Sequence, residues 1–123
     1  MIHLDTNYLI RILLRGSTEA LELQEWLTAG ESLSTSAIAW AEFLNGPVTP
    51  IEVRRVEAII ESRVIPLCRA EAILSAELFN STGRRRGSRL DCLIAATAIL
   101  ARAQLATSNR TDFERFVPHG LQM

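Results

Sequence analysis

The stretch Arg89-Leu-Asp-Cys-Leu-Ile-Ala-Ala-Thr-Ala-Ile-Leu-Ala101 is apolar over most of its length. Ten of the twelve residues at positions 90–101 are apolar or Cys. A helix that is apolar on nearly every side is normally buried in a core, so we predict a central helix here. Asp91 lies at its head, where a buried carboxylate without a partner is costly. Asp91 could close a capping box with Ser88, at a position where the helix dipole favours an acid. Alternatively, it could belong to a functional site.

Predicted strands and helices alternate on both sides of this helix. The strands are predicted at residues 2–5, 31–34, 63–67, 105–107 and 116–118, and the helices between them include residues 36–45, 70–81 and 111–115. The connections are too long for hairpins, which is typical of a parallel sheet with helices on both faces. No linker or repeat interrupts the pattern, so we expect a single domain at residues 1–123.

The composition is that of an ordinary globular protein, with 48% apolar and 22% charged residues among 123. No apolar run approaches the roughly 20 residues that span a bilayer, and the N-terminus lacks the basic region of a signal peptide. The two Cys have no metal-like spacing, so we expect a reduced, cytoplasmic protein. All 13 basic residues are Arg. The absence of Lys excludes P-loop, Schiff-base and receiver-type chemistry.

Acidic residues fall where parallel sheets bind ligands, at the carboxyl ends of strands. The chain has only three Asp. Asp5 ends the first predicted strand, Asp112 follows the strand at 105–107, and Asp91 heads a helix that points to the same edge. Glu42 lies in an apolar helix, facing either solvent or this site. Clustered carboxylates repel one another, and a hard divalent cation, Mg²⁺ or Mn²⁺, would relieve the repulsion. His3 is interpreted as an ordinary strand side chain.

Four motifs resemble the PIN-domain family, and most closely the toxin ribonucleases of VapBC-type toxin–antitoxin pairs. They are Asp5-Thr-Asn-Tyr-Leu-Ile10, Trp40-Ala-Glu-Phe-Leu-Asn-Gly46, Asp91-Cys-Leu-Ile-Ala-Ala-Thr-Ala98 and Thr107-Ser-Asn-Arg-Thr-Asp-Phe113. The resemblance covers essentially the whole chain. It implies a three-layer α/β/α sandwich around a mostly parallel sheet of about five strands. It also implies a Mg²⁺- or Mn²⁺-dependent endoribonuclease that leaves 5′-phosphate and 3′-hydroxyl ends, and an antitoxin partner.

The resemblance assigns catalytic and metal-binding roles to four acids. Asp5 and Asp91 would anchor the metal, and Glu42 and a fourth group would orient a water. The last motif departs from the fullest family pattern, because Asn109 stands where an acid is often found. We expect Asp112 to be the fourth functional acid, although it could instead cap the short helix at 111–115. The side chains expected to hydrogen-bond to these acids, without contacting the metal, are Thr6, Thr107 and Asn109.

The loop before the apolar helix carries four arginines within residues 83–89: Arg84, Arg85, Arg86 and Arg89. They are interpreted either as phosphate contacts for an RNA substrate or as a solvated loop. We also expect some of Tyr8, Ile12, Trp40 and Phe43 to form a groove for an antitoxin helix, and the chain to form a homodimer. The alternative function is a catalytically inactive PIN-like module that binds RNA or protein.

Overall fold

The computed structural model describes all 123 residues and has four strands and seven α-helices. The strands are β1 (Ile2–Leu4), β2 (Leu33–Ser36), β3 (Val64–Ile65) and β4 (Gln104–Ala106). The helices are α1 (Thr6–Arg11), α2 (Thr18–Thr28), α3 (Ala37–Asn45), α4 (Pro50–Ile59), α5 (Arg69–Ser81), α6 (Arg89–Leu100) and α7 (Arg110–Phe113). A 3₁₀ helix (Glu114–His119) follows α7. None of the helices is both long enough and apolar enough to cross a membrane.

The sheet has the order β3-β2-β1-β4, and every pair of strands is parallel. From β1 the chain adds β2 and β3 on one side and then returns to add β4 on the other. The direction in which strands are added to the sheet therefore reverses between β1 and β4. Open parallel sheets bind ligands at such a point, beyond the carboxyl ends of the strands. This architecture confirms the predicted α/β sandwich with a parallel sheet.

Strand β1 and the middle of helix α6 are buried in the core of the molecule. Leu4, Ala95, Ala96 and Ala98 are fully buried, as the apolar stretch predicted. His3 is also fully buried on β1 and pairs through Nδ1 with Ser34 Oγ at 2.9 Å. Burial lowers the pKa of His3 to about 4, so its ring is neutral, and the histidine is a strand side chain as expected.

The fifth predicted strand, residues 116–118, is wrong, because this segment lies in the 3₁₀ helix. Phe113 and Phe116 are three residues apart and pack edge to face with ring centroids at 6.0 Å. Both rings are buried, and a spacing of three aligns side chains on one face of a 3₁₀ helix. Extended backbone would turn one ring away from the core. After the 3₁₀ helix, Gln122 forms an isolated parallel bridge with Gln104 at the edge of the sheet.

Two smaller expectations are also corrected. The strand predicted at 31–34 occupies Leu33–Ser36, where Ser36 ends the strand and caps α3 by accepting from the amide of Ala39 at 3.0 Å. The expected capping box of Ser88 and Asp91 is absent, since Ser88 makes no side-chain cap. Its hydroxyl instead donates to the carbonyl of Arg85 at 2.7 Å, which leaves Asp91 free to face the sheet edge.

The expected antitoxin groove is corrected as well. Tyr8, Ile12 and Phe43 are buried core residues, and Trp40 packs partly buried against that core. The exposed apolar side chains of the early helices are different ones, Ile10 and Leu14 on α1 and its following turn, and Leu21 and Leu27 on α2. Periodicity could not separate the two sets, because both faces of these helices carry apolar residues.

Candidate active site

Asp5 is held rigidly where β1 ends at the switch point of the sheet. Its Oδ1 accepts from the amide of Thr6 at 2.7 Å, which caps α1, and its Oδ2 accepts from the hydroxyl of Thr107 at 2.8 Å. The carboxylate is 5% exposed. Burial raises the pKa of Asp5, the two hydrogen bonds lower it, and the charge of Glu42 raises it again, with a net increase. The site thus contains a desolvated carboxylate of fixed orientation.

Thr6 and Thr107 connect the acids to the backbone. The Thr6 hydroxyl donates to Glu42 Oε1 at 3.0 Å, which turns Glu42 from α3 towards α1. Thr107 Oγ1 donates to Asp5 and also accepts from the amide of Asn109 at 2.9 Å. Glu42 is therefore directed at the site and not at solvent, and the loop after β4 is fixed against Asp5.

Asp91 lies at the centre of the acidic charge. Burial, and after it the charges of Asp5, Asp112 and Glu42, together raise the pKa of Asp91 to about 6 against the attraction of Arg115. Its side chain is 26% exposed. Asp5, Glu42 and Asp112 therefore all lie within electrostatic reach of Asp91.

Asp112 and Asn109, the two candidates for the fourth position, contact each other. Asn109 Nδ2 donates to Asp112 Oδ2 at 2.7 Å. Neither side chain caps α7, whose N-cap is Asn109 without a side-chain cap bond. Asp112 lines a narrow cleft with Asp91. This geometry supports Asp112 as the charged group and Asn109 as the residue that positions it.

Arg115 is a residue of the site that sequence reasoning did not identify. Its Nη2 lies 3.7 Å from Asp91 Oδ2, and its Nε donates to the carbonyl of Asp112 at 2.7 Å. The guanidinium stacks over Phe116 at 5.2 Å, and its buried Nη1 has no hydrogen-bond partner. The only sequence signal was an Arg three residues after Asp112. Arg115 partly compensates the acids and offers a free N–H group close to them.

The four loop arginines divide into two sets. Arg85 and Arg86 line the cleft of about 130 Å³ that also contains Asp91, Asp112 and Arg115. Arg84 and Arg89 lie over the ring of Phe79 on α5. None of the four forms an ion pair with an acid.

The donor set has the chemistry that a hard divalent cation requires, because it consists of carboxylate oxygens that raise one another's proton affinity. No group of three or more His, Cys, Asp or Glu side chains is arranged closely enough to hold one ion. Mg²⁺, however, usually keeps several waters and is bound by one or two carboxylates together with substrate phosphates. Asp5 and Asp91 are the two residues that would hold it.

The comparisons with known proteins agree with this fold. The PIN domain family model matches residues 2–117, and the chain belongs to the PIN domain family. The predicted family is thereby confirmed. No curated protein matches the chain by sequence.

Solved structures similar to this chain are toxin–antitoxin complexes. A chain of the toxin–antitoxin complex from Klebsiella pneumoniae is 27% identical, with 92% of this chain and 90% of that chain covered and a TM-score of 0.71. A chain of VapBC-1 from nontypeable Haemophilus influenzae is 26% identical, with coverages of 99% and 96% and a TM-score of 0.69. VapBC2 from Rickettsia felis, bound to a DNA fragment from its promoter, has 24% identity, coverages of 100% and 98% and a TM-score of 0.71. This last likeness concerns the fold alone.

Proposed function

We propose that the protein is a Mg²⁺- or Mn²⁺-dependent endoribonuclease and the toxin of a toxin–antitoxin pair. The observation that supports it most strongly is that three acids, Asp5, Glu42 and Asp112, act electrostatically on a fourth, Asp91, beside the end of β1 in a PIN-domain sheet. Burial and three neighbouring negative charges together raise the pKa of Asp91 to about 6. Such a cluster stores electrostatic repulsion that a bound cation relieves, and perturbed acids in a cleft are typical of functional sites.

The acids have distinct roles in this proposal. Asp5 and Asp91 would hold the cation, which would supply Lewis-acid activation of the phosphate and of a water. Glu42 and Asp112 would accept hydrogen bonds from a water and orient it towards the phosphate. The hydroxyls of Thr6 and Thr107 donate hydrogen bonds to Glu42 and Asp5 and so fix the orientation of these carboxylates. Hydrogen-bond partners of metal ligands generally have this role.

The basic side chains hold the RNA. Arg85, Arg86 and Arg115 surround the same cleft as Asp91 and Asp112. Guanidinium groups bind phosphate oxygens in a bidentate manner, so a phosphate entering this cleft meets positive charge on one side and the acids on the other. The overall charge of −1 makes this local patch the main attraction for RNA.

An antitoxin would cover the exposed apolar surface of the early helices. Ile10 and Leu14 line a cleft beside Arg11 and Glu19, and an amphipathic helix from a partner fits such a surface. One solved structure similar to this chain is a toxin–antitoxin complex. We further propose a homodimer, supported by the exposed Ile51 on α4 and Ile73 on α5 and testable by light scattering.

A growth assay in bacteria tests the toxin assignment. Expression of the wild-type chain should slow growth, the Asp5→Asn variant should be harmless at equal expression, and co-expression of the small gene encoded beside it should restore growth. Wild-type expression that is harmless although the purified enzyme is active would contradict the toxin assignment while leaving the nuclease intact.

A further inference from the structure

A second cleft opens beside the acidic site, between the end of α5 and the start of α6. It has a volume of about 570 Å³ and is lined by Phe79, Arg84, Arg86, Gly87, Arg89 and Leu90. Its walls combine an aromatic ring and an apolar side chain with three cationic groups. Leu90 is 48% exposed, so an apolar surface lies open to solvent within a basic rim.

The ring of Phe79 is shared by two cations. The guanidinium carbon of Arg84 lies 5.4 Å from the ring centroid and that of Arg89 lies 4.9 Å from it. No acid pairs with either arginine, and Arg84 Nη1 donates to the neutral amide oxygen of Asn80 at 2.5 Å. Cation–π attraction is weak at exposed sites, so a ligand that offers a flat π-system and a phosphate could replace it. The ring would then stack on the ligand and the arginines would bind the phosphate.

The backbone at Arg84 is in a conformation that arginine rarely adopts. Its φ is +51°, and its amide donates to the carbonyl of Phe79 at 2.9 Å. Residues with a Cβ disfavour the left-handed region, and strain of this kind concentrates at functional sites. The turn could contain glycine at this position, as it does at the adjacent Gly83 and at Gly87.

The cleft adjoins the acidic site. Arg86 and Gly87 line both this cleft and the one that contains Asp91 and Asp112. A single strand of RNA with a phosphate at the acids would therefore pass Arg86 before it reaches Phe79. Proteins that bind single-stranded nucleic acid combine these two elements, a basic track for the backbone and an aromatic side chain for the bases.

We propose that this second cleft is a base-stacking subsite for single-stranded RNA, in which Phe79 stacks on a base that flanks the scissile phosphate. Arg84 and Arg89 contact the phosphates next to that base, and Leu90 covers the edge of the base. The subsite rests on the proposed ribonuclease function and would make Phe79 a determinant of substrate affinity outside the catalytic acids.

Binding and cleavage measured separately test this subsite. A short, fluorescein-labelled single-stranded RNA is titrated with protein in chelator and followed by anisotropy, for wild type, Phe79→Leu and Phe79→Tyr. Phe79→Leu keeps an apolar side chain but removes the π-face, so binding should weaken about tenfold. Phe79→Tyr keeps the ring and should bind like wild type. In Mg²⁺, Phe79→Leu should raise KM more than it lowers kcat.

An abasic substitution identifies the base that stacks. When one abasic ribose is moved along the RNA, wild-type affinity should fall at one position, and Phe79→Leu should lose no further affinity there. Circular dichroism checks that both variants are folded, and if Phe79→Leu is not, Phe79→Met replaces it.

Wild-type protein that neither binds nor cleaves RNA would overturn both this subsite and the proposed function. Wild-type cleavage together with unchanged binding by folded Phe79→Leu would overturn the subsite alone. If folded Phe79→Leu no longer binds the co-expressed antitoxin while its RNA binding is unchanged, the cleft belongs to the protein partner. That result would equally overturn the subsite.

Discussion

Replacing Asp91 by Asn should stabilise the metal-free protein while abolishing its activity. The pKa of Asp91 is raised from 3.8 to about 6, a difference of about two units. Each unit corresponds to about 1.4 kcal/mol, so keeping the carboxylate ionised at neutral pH costs the folded state up to about 3 kcal/mol. Since the side chain is 26% exposed, solvent screening reduces the expected gain to about 2 kcal/mol.

The pH dependence has a defined sign. The folded protein binds this proton more tightly than the unfolded chain, so the associated stability is fully present below the unfolded pKa of about 4 and is lost as pH rises through about 6. Urea unfolding in chelator should therefore show Asp91→Asn more stable than wild type at pH 7.5, with the difference vanishing near pH 4. Added Mn²⁺ should stabilise wild type and not the variant, because only wild type retains the ligand charge. A variant that is no more stable than wild type at pH 7.5 in chelator would refute the electrostatic reasoning.

Three further predictions concern neighbouring residues. Asp112→Asn should weaken Mn²⁺ binding in calorimetry and slow cleavage with little loss of stability, whereas a lost helix cap would cost about 1 kcal/mol and leave activity intact. Replacing the three arginines at positions 84–86 by Ser should weaken RNA binding and reduce the slope of log affinity against log salt by about 2, an effect that an unaltered slope would exclude. The matched control, which removes the same charge from exposed positions elsewhere, replaces Arg54, Arg55 and Arg69. Thr107→Val removes the hydroxyl that donates to Asp5 and should lower metal affinity or activity about tenfold, while unchanged Mn²⁺ affinity and activity would show that this hydrogen bond has no functional role.

The parts of the fold that follow from local pattern were predictable from the sequence. The apolar run at residues 90–101 predicted a helix that is buried over its middle, and the alternation of strands and helices predicted parallel pairing. The position of Asp5 followed from the same logic, because a residue that ends a central parallel strand lies at the ligand-binding edge. Asp91 and Asp112 could then be placed relative to it.

The parts that depend on tertiary contacts were not predictable. Residues 116–118 contain strand-forming side chains, yet the packing of Phe113 against Phe116 decides their conformation. Ser88 matches a cap by spacing, but its hydroxyl is taken by the Arg85 carbonyl. Arg115 joins the site only because the turn after β4 brings it against Asp91. Sequence spacing carries no information about such competing partners.

The central claim is that the four converging carboxylates form a metal-dependent ribonuclease site. Its most direct test is cleavage of single-stranded RNA by the purified protein in Mg²⁺, with the ends of the products mapped, beside folded Asp5→Asn and Asp91→Asn variants. We expect cleavage that stops in excess EDTA, products with 5′-phosphate and 3′-hydroxyl ends, and a rate lowered by orders of magnitude in both variants. Undiminished cleavage by either folded variant, or cleavage that persists in EDTA, would contradict the account.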